Sequence, residues 1–116
     1  MLASTKLTHN TQFKFGRSAL LLAAALMALL HFSGIFFLDE PVLFTGFAAF
    51  NLYSLIVILI PFHRSEKWAW MTTWLLPVGL AIPAAIDPDI RLSYFAVAAV
   101  CVLGLLLTRQ DFFPKE

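Results

Sequence analysis

His31 carries the most chemistry in this 116-residue chain, because an imidazole can ligate a metal or haem, or pass protons near neutral pH. It stands in an apolar stretch, in line with Ala24, Ala28 and Ile35 at helical spacing. A bis-histidine haem needs a second histidine at similar depth, and His9 and His63 fall outside the apolar stretches or at their far edge. The next candidates are Asn51, Tyr53 and Ser54, an amide, a phenol and a hydroxyl within four positions. Asn51 and Ser54 share a helical face with Phe44, Phe47 and Ile58. His31, Asn51, Tyr53 and Ser54 therefore form the candidate ligand-binding set, able to anchor the polar end of a lipid-like molecule. His31, Asn51 and Tyr53 also have the types for an acid/base set. The plainer expectation is a neutral His31 hydrogen-bonded by Asn51 or Tyr53 of a neighbouring helix. Interhelical bonds of that kind contribute about 0.6–2 kcal/mol. No catalytic residue, metal ligand set or cofactor is assigned. Cys101 is the single cysteine, so neither an intrachain disulfide nor a CxxC redox site can form.

The elements that must position these residues are four apolar runs, 18–38, 42–62, 68–86 and 92–108, of roughly 17–21 residues each. None contains Asp, Glu, Lys or Arg. At about 1.5 Å per helical residue, each matches a hydrocarbon core of about 30 Å. Hydrophobic content is 60% and charged content 13%, and the excess is gathered in blocks, as in a membrane protein rather than a greasy soluble one. The stretch SALLLAAALMALL lacks the period-two alternation of a barrel strand, so the spans are helices. The fold class expected is an all-α integral membrane four-helix bundle, up-down-up-down, forming a single domain over 1–116. Its helices lie at about 18–38, 42–62, 66–86 and 90–109, after a flexible or interfacial segment 1–15. That segment is followed by an apolar run too long for a signal-peptide core and lacking an A-x-A-like site, so it is read as preceding a retained helix.

The connections supply start signals. Pro41 follows Asp39 and Glu40, Ser65 precedes Glu66 and Lys67 as an N-cap, and Asp87-Pro88-Asp89 repeats the device. Pro77 and Pro83 flank Gly79 in the third run and predict kinks, tolerated or opening a cavity. Lys6, Lys14, Arg17, Arg64, Lys67, Arg109 and Lys115 fall on one side and Arg91 on the other, which places both termini in the cytoplasm. Trp68, Trp70 and Trp74, with Arg64 and Lys67 beside them, are expected to anchor the chain at the cytoplasmic interface. A net charge of +1 without a basic stripe argues against nucleic acid as a partner.

The stretch Asn51-Leu52-Tyr53, with Pro61-Phe62-His63-Arg64-Ser65-Glu66-Lys67-Trp68-Ala69-Trp70 after it, resembles a pattern in small, uncharacterised four-span bacterial membrane proteins. In those, a basic pair, an acid and a WAW-like group join the second and third helices. The resemblance covers about a third of the chain. Size and span number are also similar to DoxX-like proteins, though no functional residue of that group matches. The resemblance implies a multi-pass protein of the bacterial inner membrane and carries no activity.

Three functions compete. A proton-coupled antiporter of this size uses a membrane-embedded glutamate in its first helix, and the first acids here are Asp39 and Glu40 at that helix's outer end. A membrane enzyme acting on a lipid-like substrate would need intramembrane acids or paired cysteines, which are missing. The reading that remains is a non-catalytic membrane protein. It would be an accessory or structural subunit contacting the bilayer and other subunits or its own copies, or a binder of a hydrophobic molecule. Ala19/Ala23 and Ala24/Ala28 would let helices approach closely in either case.

Overall fold

The computed structural model describes the backbone of residues 2–113 and the side chains of residues 11–113. Five helices, α1 (Leu2–Phe37), α2 (Pro41–Leu59), α3 (Lys67–Thr73), α4 (Leu75–Ile86) and α5 (Arg91–Phe112), account for nearly all of it, with no strand among the described residues. Four stretches are long and apolar enough to cross a membrane: Thr11–Phe37, Pro41–Leu59, Lys67–Ile86 and Arg91–Phe112. The third consists of α3 and α4 joined through Trp74.

The exterior of the bundle is as apolar as its interior, and a few polar groups lie inside. Leu22, Leu29, Phe36, Val42, Met71 and Leu106 point outward, while His31, Asn51, Thr73 and Thr108 are buried. An apolar exterior of this extent is stable only against hydrocarbon or a partner.

α1 buries Gly16, Leu20, Ala23, Ala24, Met27, His31 and Gly34, a stripe repeating every three or four residues. α5 answers with Tyr94, Ala98, Cys101, Gly104, Leu105, Thr108 and Phe112. The stripes meet in antiparallel fashion, with Gly16 against Gly104 near one end and His31 against Tyr94 toward the other. At the crossing, a Cβ on either glycine would lie 2.7 Å from the other glycine's carbonyl oxygen. Only hydrogen at Cα permits that approach. Ala23 and Ala24 lie in this buried stripe, whereas Ala19 and Ala28 are partly exposed.

Arginines close two helix ends. The Arg17 guanidinium donates to the Ile58 and Leu59 carbonyls at 3.3 Å each, satisfying acceptors in the last turn of α2. Arg91 does the same for α4, donating to Ala84 at 3.0 Å and Ala85 at 3.1 Å. At the Arg17 end Phe62 is fully buried between Phe13 and Phe112, with ring centroids at 6.0 and 4.7 Å.

Several sequence expectations change. α1 begins at Leu2, not near residue 18, so helical backbone runs through the segment expected to be flexible or interfacial. No proline interrupts that segment, and Phe13 gives it a contact on Phe62. The side chain of Lys6 and all of Lys115, both used in the charge count, lie outside the described residues. Ser65 is not a cap: Glu66 holds the N-cap position of α3 without a side-chain cap bond, and Ser65 adopts φ 58° in the turn before it. Asp87 accepts from the Asp89 N–H at 3.0 Å, and Ile90 is the residue that precedes α5. Pro41 does open α2. Of the two prolines in the third span, Pro77 falls in the first turn of α4, where a missing N–H has no intrahelical partner to lose. The helix breaks just before it, at Trp74. Pro83 lies inside α4 and cannot donate to the Gly79 carbonyl.

α1 packs along both α2 and α5, and α5 packs along α4. α2 meets the third span chiefly through the short α3. The seam between α2 and α4 is the thinly closed side of the bundle.

Candidate functional site

That seam holds the polar interior. The Asn51 amide nitrogen donates to the Phe47 carbonyl one turn back, at 2.8 Å, and to His31 Nδ1 at 2.7 Å. Turning the amide over would set two acceptor oxygens against each other at the Phe47 contact, so its orientation is fixed. His31 Nδ1 must then be an acceptor, and the imidazole proton resides on Nε2. Nε2–H donates to the Tyr94 hydroxyl at 2.7 Å. A directed chain, Asn51 to His31 to Tyr94, thus links α2, α1 and α5.

Helical periodicity explains the convergence. Asn51 lies on the buried face of α2 with Ser54, Val57 and Ile58, and His31 lies on the α1 stripe facing both neighbours. Phe44 and Phe47 pack against the imidazole, with ring centroids at 6.0 and 5.1 Å. Gly34 admits Phe44, since a Cβ there would lie 2.7 Å from the ring.

Two polar atoms of this chain keep unused capacity. Asn51 Oδ1 is buried without a partner, in a residue only 2% exposed. The Tyr94 hydroxyl accepts from His31, and its own proton remains to be donated. Both residues line a cavity of about 20 Å³, together with Phe50 of α2 and Gly79, Leu80 and Pro83 of α4. Phe50 lies over Gly79, where an added Cβ would come within 3.2 Å of its ring. Phe50 also borders a second recess of about 240 Å³ along the same seam, with Tyr53, Ser54, Val57, Thr72 and Thr73. On the other flank, His31 and Tyr94 border an open recess of about 400 Å³ with Leu30, Gly34 and Phe44.

The four residues expected to bind ligand therefore separate. His31 and Asn51 come together. Tyr53 is 58% exposed and does not reach His31; two positions from Asn51, it lies on the opposite side of the helix. Ser54 donates to the Phe50 carbonyl of its own helix at 3.0 Å, so it makes no bond across helices. Both line the second recess. Tyr94 takes the place expected for Tyr53. Once Asn51 is chosen, the period of 3.6 already excludes Tyr53. In an antiparallel packing Tyr94, one turn into α5, comes opposite the C-terminal part of α1 that holds His31. Gly16, Gly104 and the capping roles of Arg17 and Arg91 were also missed, because each depends on which helix lies alongside.

The tryptophans also divide. Trp68 is half exposed and its indole N–H donates to Glu66 at 2.7 Å. The Trp70 N–H donates to the Leu105 carbonyl at 3.0 Å and fastens α3 to α5. Trp74 packs against Trp70 at 5.7 Å. Lys67 lies 5.5 Å over the Phe113 ring, and Arg64 is exposed. Among the described residues, no three His, Cys, Asp or Glu side chains gather as a metal site would require.

No family model matches this chain, and comparison with curated proteins and with solved structures finds no match.

Proposed function

We propose that this is a non-catalytic, multi-pass protein of the bacterial inner membrane that holds an apolar, lipid-phase molecule beside His31, Asn51 and Tyr94. The spans run up-down-up-down with both termini cytoplasmic, following the bias of lysine and arginine to the terminal side. The observation carrying the reading is the unpartnered Asn51 Oδ1, buried at the thinly closed seam between α2 and α4. Packing alone favours satisfying or removing such an atom, because an unmade hydrogen bond in a low-dielectric interior costs about 1–3 kcal/mol. A site for a molecule drawn from the bilayer is the role that uses it. The apolar recesses on either flank supply the surface for the rest of such a molecule.

The test is purification in gentle detergent, followed by mass spectrometry of what co-elutes. One apolar species should be retained in near-equal amount with the protein and lost from the Asn51→Leu variant. A fixed set of membrane proteins co-eluting without any such species would instead make the chain an accessory subunit.

A further inference from the structure

The hydrogen-bond directions in the polar chain select the chemistry of what can enter. Both N–H groups of the Asn51 amide are committed, one to Phe47 and one to His31, so the atom it has left is an acceptor. His31 donates through Nε2, so the Tyr94 hydroxyl accepts there and keeps its own proton to donate. The two residues thus hold an unused acceptor and an unused donor, and both line the same space of about 20 Å³. A carbonyl or ether oxygen can use only the Tyr94 proton, and an N–H donor with no lone pair leaves that proton unused. One hydroxyl group satisfies both at once. The space exceeds the about 10–15 Å³ that a single water-sized oxygen needs, and is too small for a larger polar head.

We infer that the cavity between α2 and α4 is a binding site for one hydroxyl group, donating to Asn51 Oδ1 and accepting from Tyr94, with a lipid-phase alcohol as its bearer. This rests on the reading of the chain as a binder of an apolar molecule. The alcohol's chain leaves past Phe50, which borders both the cavity and the larger recess along the seam. Water has the same chemistry and is the other possible source of the hydroxyl.

The full-length ¹⁵N-labelled protein in detergent micelles gives a direct readout through the Asn51 side-chain amide signal, assigned by its loss in Asn51→Leu. The probes are 1-decanol, decyl methyl ether, which keeps the oxygen but lacks the proton, and decane. They are compared at equal mole fraction in the micelle. Decanol should shift the signal saturably, at a mole fraction roughly 3- to 10-fold lower than the ether requires. Tyr94→Phe, which keeps the ring, should weaken both oxygen-bearing probes while preserving the preference of alcohol over ether. Equal binding of alcohol and ether would overturn the hydroxyl assignment and leave the binder reading standing. No saturable binding, with a long-lived water contact at the Asn51 amide, would keep the hydroxyl site and overturn the binder reading. Absence of both would overturn the two together.

Discussion

The crossing of α1 and α5 at Gly16 and Gly104 sets the spacing of one of the bundle's main interfaces, and an added methyl there is the sharpest perturbation available. In Gly104→Ala the new Cβ would lie 2.7 Å from the Gly16 carbonyl oxygen and 3.0 Å from Leu20 Cγ. In Gly16→Ala it would meet the Gly104 oxygen at 2.7 Å and Thr108 Cγ2 at 2.8 Å. The nearest atom in each case is backbone of the opposing helix, so no rotamer change can relieve it and the helices must separate. Opening them by roughly half an ångström forfeits about a quarter of the dispersion energy across the contact. Overpacking of this kind costs about 1–3 kcal/mol. The same substitution gains helix propensity, up to about 1 kcal/mol in water, and this must be removed from the comparison. Gly46→Ala provides that correction, because a Cβ there meets nothing within 4 Å. Relative to Gly46→Ala, each crossing variant should lose about 1–3 kcal/mol. The double variant should lose less than the sum, since the first methyl already separates the helices. The assay is unfolding in mixed detergent micelles by added sodium dodecyl sulfate, followed by tryptophan fluorescence. Crossing variants as stable as Gly46→Ala would refute the close approach of α1 and α5.

Tyr94→Phe removes the acceptor for His31 Nε2–H and should cost about 0.6 kcal/mol, and no more than about 1.7, by the same unfolding assay. A double-mutant cycle of Tyr94→Phe with His31→Leu should return a coupling of that size, whereas Tyr53→Phe should show none with His31→Leu. Trp70→Phe should destabilise by about 0.5–1.5 kcal/mol through loss of its bond to the Leu105 carbonyl, while Trp68→Phe stays within about 0.5 kcal/mol of wild type. Orientation is open to cysteine labelling in a Cys101→Ser background. Glu40→Cys and Asp89→Cys should react with a membrane-impermeant thiol reagent in intact cells, and His63→Cys only after lysis; labelling of His63→Cys in intact cells would invert the topology.

The four spans were legible in the sequence because bilayer thickness and backbone desolvation act on each segment separately. A run of apolar residues without Asp, Glu, Lys or Arg must be helical wherever its neighbours are. For the same reason the buried face of α2 could be read from Asn51, Ser54 and Ile58, and Pro41 marked a helix start. What the sequence left open was every relation between helices. Lipid tails are as apolar as the side chains they contact, so hydrophobicity does not say which face of a membrane helix meets protein. Tertiary packing decided that Gly16 lies on Gly104, that Arg17 closes α2, and that Trp70 turns its N–H to α5. It also brought Tyr94, not Tyr53, to His31, and left Asn51 Oδ1 unpaired beside a cavity. The residue types of the candidate site were thus present in the sequence, but their partners and directions exist only where three helices meet.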